Sequence, residues 1–191
     1  MPIKNRFAEL LPEITAWRRD FHEHPEILFD THRTSAVVSE KLKSFGCDEV
    51  VEGLGRTGVV GLIRGNGGSG RTLGLPAEMD ALPMQEGTGL EYASKTPGAM
   101  HACGHDGHTA MLLGAGKYLA ETRNFRGRVA LIFQPAEEDG GGGEVMVQEG
   151  IMDRFGIGEV YAIHNAPGLD AGSIHTRGGP IMAAADVFHI H

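Results

Sequence analysis

Met100-His101-Ala102-Cys103-Gly104-His105-Asp106-Gly107-His108 is the stretch around which this chain is organised. It holds three histidines, one cysteine and one aspartate, and imidazole and thiolate are the usual ligands of zinc and neighbouring transition metals. Cys103 and His105 lie too close together for a structural zinc knuckle, which pairs two spaced cysteines with a distant second pair. The alternative is a pair of core histidines beside a buried thiol, but four donors around two glycines favour a metal site.

The residues that follow this stretch have the period of an amphipathic helix. Apolar side chains recur three or four positions apart over residues 106–122, which predicts a helix there. The two metal ligands therefore belong to a loop that ends where a helix begins.

Three apolar runs share a second feature, because each is followed by charged or ligating residues. The runs cover residues 72–77, 129–133 and 160–163, and each has the character of a strand buried on both faces. Helical stretches lie between them. Alternating strands and helices predict an α/β fold with a largely parallel sheet flanked by helices.

Composition limits the classes of function that are open to this chain. Its 191 residues carry 17 Lys and Arg against 25 Asp and Glu, a net charge of −8 that argues against nucleic acid as a partner. The N-terminus is charged throughout, unlike a signal peptide, and no apolar run is long enough to span a bilayer. Two cysteines, Cys47 and Cys103, exclude a disulfide framework. We expect a cytoplasmic protein without a membrane segment.

A glycine-rich segment over residues 65–72 superficially matches a phosphate-binding loop. Arg71 stands where such a loop has lysine, and a β-like stretch containing Pro76 follows where a helix N-terminus is required. The segment is therefore predicted to be a hairpin turn.

In α/β sheets, functional sites gather at the carboxyl ends of the strands. The side chains that the sequence places there are Asp80, Cys103, His105, Glu137, Glu138 and His164. Carboxylates mixed with imidazole and one thiolate suit zinc, manganese, cobalt or nickel. Of two neighbouring glutamates in a loop, one can bind metal while the other removes a proton from a metal-activated water. This equipment indicates metal-assisted hydrolysis of an amide.

Two alternatives belong to other classes. The chain is a non-catalytic metal-binding fragment if its site is incomplete. It is a cysteine hydrolase if Cys103 is the nucleophile and a nearby histidine is its base, but the glutamate pair and His164 would then have no role.

Four blocks of sequence, at residues 77–83, 100–108, 133–138 and 164–168, resemble the amidohydrolase branch of the aminoacylase/carboxypeptidase metallopeptidase family. This branch includes hippurate hydrolases, N-acyl-amino-acid deacylases and auxin-conjugate hydrolases. The resemblance implies a zinc-peptidase-like catalytic domain that hydrolyses the amide bond of N-acyl amino acids such as hippurate.

The same resemblance implies a role for individual residues. Glu137 would be the general base, and Asp80 would orient a ligand. His101 and His108 receive no ligand role. The ligands of a centre of two divalent ions (zinc, manganese, cobalt or nickel) would be Cys103, His105, Glu138 and His164.

The chain departs from the family pattern in two places. Pro76 and Glu78 stand where the family commonly has an arginine and the first aspartate of Arg-Ala-Asp-Met-Asp. Residues 1–183 would form the N-terminal part of the catalytic domain, and residues 184–191 would begin a lid and dimerisation domain. The rest of that lid and a late histidine ligand are then missing from the sequence, and the full-length protein is expected to be a homo-oligomer.

Overall fold

The computed structural model describes residues 3–183, 188 and 190, and these residues contain five helices and five strands. The helices are α1 (Ile3–Glu23), α2 (His32–Ser44), α3 (His105–Thr122), α4 (Gly142–Gln148) and α5 (Ile151–Phe155). The strands are β1 (Glu49–Leu54), β2 (Gly58–Arg64), β3 (Thr72–Glu78), β4 (Arg128–Gln134) and β5 (Ile157–Val160). None of the helices that the structure describes has the length and hydropathy needed to cross a membrane.

The strands form one sheet in the order β1-β2-β4-β3-β5. The predicted α/β sheet with flanking helices is confirmed, and the sheet is mixed. β4 and β5 run parallel to β3, whereas β2 runs antiparallel to both β1 and β4. β1 and β2 are antiparallel because a short turn joins them, and a turn of that length can only connect antiparallel neighbours.

Successive side chains of β4 point to opposite faces of the sheet, and both faces are covered. Leu131 and Phe133 pack into a core with α1, α2 and α3, and Ile132 packs into a second core with α4 and α5. This two-sided burial explains why the strand is apolar at almost every position, as the sequence indicated.

The register of the parallel strands decides where the site lies. Glu78 pairs with Gln134, so β3 and β4 end side by side, and the Met79 N–H donates to the Gln134 carbonyl oxygen at 2.9 Å. Asp80 and the pair Glu137-Glu138 therefore emerge at the same edge of the sheet.

Two elements differ from the sequence prediction. The last strand was predicted over residues 160–163, but β5 ends at Val160 and residues 161–163 are exposed. β5 lies at the edge of the sheet and pairs only with β3, so no second neighbour holds the chain in the sheet beyond Val160. The five-residue helix α5 was not predicted, because it is too short to show a helical period.

The glycine-rich segment 65–70 is not a hairpin turn, because β4 lies between the two strands that it joins, β2 and β3. It crosses the amino ends of β3 and β4, at the opposite edge of the sheet from Asp80. The N–H groups of Gly65 and Gly67 donate to the carbonyls of Gly127 and Phe125. These amides are thus engaged within the protein and not presented to phosphate.

The predicted domain boundary lies between residues 183 and 184, and Ala183 is the last residue of the continuous segment that the structure describes. Residues 184–191 lie outside the described residues, apart from Phe188 and Ile190. The assignment of 1–183 to the catalytic domain and of 184–191 to a lid remains a prediction.

Candidate metal centre

Asp80 is the residue that joins the parts of the site. Its carboxylate is fully buried, and its two oxygens accept the backbone N–H groups of Glu137 at 3.0 Å and Glu138 at 3.1 Å. Its carbonyl oxygen accepts a hydrogen bond from His105 Nδ1 at 2.8 Å. One residue after β3 therefore orients both parts of the site, the glutamate pair after β4 through its side chain and the first residue of α3 through its backbone carbonyl.

The glutamate pair follows a residue with unusual backbone geometry. Ala136 has a φ of 51°, in the left-handed region that costs an L residue about 1–2 kcal/mol. Its N–H donates to the Leu28 carbonyl at 3.1 Å, and its carbonyl accepts from Gly142 N–H at 3.0 Å. These bonds hold the sharp turn that sends Glu137 and Glu138 back towards Asp80.

The bond from His105 Nδ1 to Asp80 fixes which ring nitrogen faces the site. His105 Nε2 lies 3.7 Å from Glu137 Oε2 and 3.9 Å from Glu138 Oε1. Among the described residues, His105 Nε2 and Glu138 Oε1 are buried without a hydrogen-bond partner. Such orphaned groups each cost about 1–3 kcal/mol. A bound cation would satisfy both, so this donor set fits a metal ion.

Cys103 and His164 complete a second cluster around the same histidine. Cys103 Sγ lies 3.5 Å from His164 Nε2. The His164 ring is oriented by a hydrogen bond from its Nδ1 to the Asn165 carbonyl oxygen at 2.7 Å. Ligand atoms of Cys103, His105 and His164 all lie within 4.8 Å of one another. The same holds for His105, Glu137 and Glu138. The structure thus brings all six predicted site residues together.

The charges around the site favour a positive ion. Burial acts to lower the pKa of His105, but hydrogen bonds to Asp80 and the negative charge of Glu78 outweigh it and raise the pKa to about 9. Burial raises the pKa of the Glu137 carboxyl, and Glu138 acts in the same direction. A carboxylate with a raised pKa is a better proton acceptor.

The thiol of Cys103 does not have the properties of a nucleophile. Burial raises its pKa to about 11, and the negative charges of Glu138 and Glu137 act in the same direction. Catalytic cysteines have lowered pKa values, since the thiolate is the attacking species. The cysteine-hydrolase alternative is therefore disfavoured, whereas a metal ion would itself favour the thiolate.

Glu78, His108 and Asn165 form a hydrogen-bonded set beside the site that was not predicted from the sequence. His108 Nδ1 lies 2.7 Å from Glu78 Oε2, and His108 Nε2 lies 2.7 Å from Asn165 Oδ1. His108 follows His105 by three positions in α3, and this spacing was the available signal that both rings lie on one face of the helix.

A second missed group ties α1 to the start of α3. His22, near the end of α1, is buried, and its Nδ1 lies 2.7 Å from Asp106 Oδ2. Arg18 Nε contacts the same oxygen at 2.8 Å, and His22 Nε2 lies 3.3 Å from Glu86 Oε1. Because Asp106 is adjacent to His105, this network holds the beginning of α3 in place.

Replacing Asp106 with alanine is expected to lower the free energy of unfolding by about 3 kcal/mol, because it removes the buried carboxylate oxygen that His22 Nδ1 and Arg18 Nε both contact. Urea denaturation followed by circular dichroism measures this loss. Asp30→Ala is the matched control, since the Asp30 side chain is 91% exposed. A loss no larger than that of the control would contradict the structural role of the network.

Residues 74–183 match the family described as peptidase family M20/M25/M40. The chain is 46% identical to the hippurate hydrolase of Campylobacter jejuni, over 95% of this chain and 47% of that protein. It is 45% identical to an N-acyl-L-amino acid amidohydrolase of Geobacillus stearothermophilus, over 98% of this chain and 50% of that protein.

A solved structure shows the same arrangement of elements. The Bacillus subtilis YXEP protein, described as a dinuclear metal binding peptidase, superposes with a TM-score of 0.83 at 37% identity. The match covers 88% of this chain and 47% of that one. This chain thus spans about half the length of these relatives.

Proposed function

The chain belongs to peptidase family M20/M25/M40, and from this premise we propose that it carries the metal centre of a hydrolase acting on the amide bond of N-acyl amino acids. The observation that carries the proposal is that two neighbouring atoms of the site, His105 Nε2 and Glu138 Oε1, are buried without a hydrogen-bond partner among the described residues, beside the more exposed Glu137. The similarity to a hippurate hydrolase and an N-acyl-L-amino acid amidohydrolase supports this class of substrate.

Two divalent ions fit the donor set, and His105, which lies in both clusters, would bind one of them through Nε2 because its Nδ1 is bonded to Asp80. Zinc, manganese, cobalt and nickel all accept this mixture of thiolate, imidazole and carboxylate. Such ions, when bound, lower the pKa of a water molecule and polarise a carbonyl group. The proposed ligands are Cys103, His105, Glu138 and His164.

The two glutamates differ in exposure, and this difference supports their separate roles. The Glu138 side chain is 17% exposed and turned among the other donors, whereas the Glu137 side chain is 46% exposed. A ligand has to lie inside the cluster, while a general base has to reach a water molecule that enters from solvent. We assign Glu138 as ligand and Glu137 as the base that takes a proton from the attacking water and passes it to the leaving amine.

In this proposal Asp80 orients His105, Glu137 and Glu138. Its carboxylate holds the backbone of both glutamates and its carbonyl holds the His105 ring, so it fixes which atoms of three residues face the metal.

The remaining features of the whole protein are proposals of the same kind. A small N-acyl amino acid as substrate agrees with the amidohydrolase relatives. The acidic composition argues against nucleic acid. A lid that starts near residue 184, a homo-oligomeric full-length form and a cytoplasmic location follow only from the family resemblance and the sequence.

The metal centre is tested by metal content. After incubation with zinc or manganese and gel filtration, the chain is expected to retain metal by elemental analysis, and Cys103→Ala should lower the occupancy because it removes a ligand. Cys47→Ala is the matched control. Cys47 is the other cysteine of the chain, and it packs against the hydrophobic core that the sheet forms with α1, α2 and α3. Metal at background level in the unmodified chain would overturn the proposal.

Turnover separates the hydrolase from a non-catalytic metal-binding fragment. A protein that contains this sequence and is as long as the relatives should hydrolyse hippurate. A chelator should abolish this activity. Metal binding without turnover of any acetyl- or benzoyl-amino acid would favour the fragment. Activity that survives chelation would favour the cysteine hydrolase.

A further inference from the structure

We infer that Glu78, His108 and Asn165 form a clasp that positions His164 within the metal centre. The inference rests on the proposed function, since it concerns a proposed ligand of that centre. It assigns a role to His108 and explains why a glutamate is accommodated at position 78.

His164 needs such a clasp because of where it lies. The last sheet bond of its segment joins the Tyr161 N–H to the Gly74 carbonyl at 3.0 Å, and residues 161–183 are exposed and contain neither helix nor strand. A ligand on such a segment loses affinity, since ordering its backbone costs about 1–2 kcal/mol per residue. The other three proposed ligands are held at the ends of regular elements or by Asp80.

The clasp runs from the end of β3 through α3 to the exposed segment. His108 is buried, and its Nδ1–H donates to Glu78 Oε2 at 2.7 Å. If the ring is doubly protonated, Nε2–H donates to Asn165 Oδ1 at 2.7 Å. If it is neutral, Nε2 accepts the Asn165 backbone N–H at 3.2 Å, and the side-chain amide must turn over to present its NH2 group in place of Oδ1. In both protonation states Asn165 is attached to the helix.

Two further contacts carry this attachment to His164. The rings of His108 and His164 meet edge to face, with centroids 4.5 Å apart and planes at 77°. His164 Nδ1–H donates to the carbonyl of Asn165. Gly104 makes room for the clasp, because a Cβ built there would lie 2.3 Å from Asn165 Oδ1.

The matched pair His108→Asn and His108→Gln separates the two ends of the clasp. Asparagine places its amide near the position of Nδ1 and keeps the bond to Glu78, whereas glutamine places its amide near Nε2 and keeps the bond to Asn165. We expect His108→Asn to lower zinc affinity by about 10–100-fold, as for other groups that orient a metal ligand. His108→Gln should restore most of it. His175→Ala, on the same exposed segment, is the control.

A double-mutant cycle tests whether His108 acts through His164. In a His164→Ala background, His108→Asn should change zinc affinity by no more than about twofold, the scatter of independent effects. An undiminished effect there, or equal losses in His108→Asn and His108→Gln, would overturn the clasp.

Amide hydrogen exchange in the metal-free chain tests the clasp independently of metal binding. In the metal-free chain, the backbone amide of Asn165 should exchange with solvent faster in His108→Asn than in the unmodified chain, while the amide of Ser173 should not change. Unchanged exchange at Asn165 would refute the clasp. Absence of zinc binding in the unmodified chain, with faster exchange in the variant, would refute the proposed function and leave the clasp supported.

Discussion

Replacing Glu137 with glutamine is expected to lower turnover by a factor of about 10²–10⁴ while the metal stays bound, because general base catalysis is worth about that much. Glutamine keeps the size and hydrogen bonding of the side chain but cannot accept a proton. The backbone N–H that anchors position 137 to Asp80 remains, so the fold of the turn is preserved. Initial rates of hippurate hydrolysis, in a protein of the relatives' length that carries this chain, measure the effect.

Added metal provides the control for this variant. Since Glu137 is proposed not to be a ligand, excess zinc or manganese should leave the rate of Glu137→Gln unchanged, and elemental analysis should show normal occupancy. A variant that remained fully active would refute Glu137 as the base.

Glu138→Gln is expected to have the opposite signature, a loss of metal affinity of at least about 100-fold, larger than that of residues which only orient a ligand. The change replaces an anionic ligand with a neutral amide at a position where one carboxylate oxygen is buried and unpartnered among the described residues. Competition of a chromophoric chelator for zinc measures this loss. Activity should be partly recovered at high metal concentration.

The pair of variants is informative because the two side chains are chemically identical neighbours. If Glu138→Gln kept its metal and lost its rate, while Glu137→Gln lost its metal, the two roles would be exchanged. If both variants stayed active and loaded with metal, the hydrolytic mechanism itself would be wrong.

Much of the fold was predictable because local patterns and tertiary structure agree. The helix predicted over residues 106–122 matches α3, and the buried strands predicted over 72–77 and 129–133 match β3 and β4. These elements are apolar with a clear period, and both faces of the sheet are covered. The last strand was predicted at residues 160–163, three positions beyond the observed Ile157–Val160, because an apolar run cannot show whether a second strand will lie beside it.

The convergence of the site residues was predictable from one rule, the gathering of sites at the carboxyl ends of strands. The rule places Asp80 and the glutamate pair at one edge, but it contains no information on pairwise contacts. The bond from His22 to Asp106 joins residues 84 positions apart, and the bond from His108 to Glu78 joins residues 30 apart. Such pairs depend on how α1 and α3 pack against each other and on the sheet, so no local pattern predicts them.

The position of the glycine-rich segment 65–70 has a practical consequence for handling the protein. The segment crosses the amino ends of β3 and β4, away from Asp80. A Cβ built at Gly68 would meet nothing within 4 Å, although the φ of 91° favours glycine there. Exposed loop tips of small residues tolerate inserted peptides best. An affinity tag inserted beside Gly68 would attach the protein to a sensor surface with its metal-binding edge facing the solution.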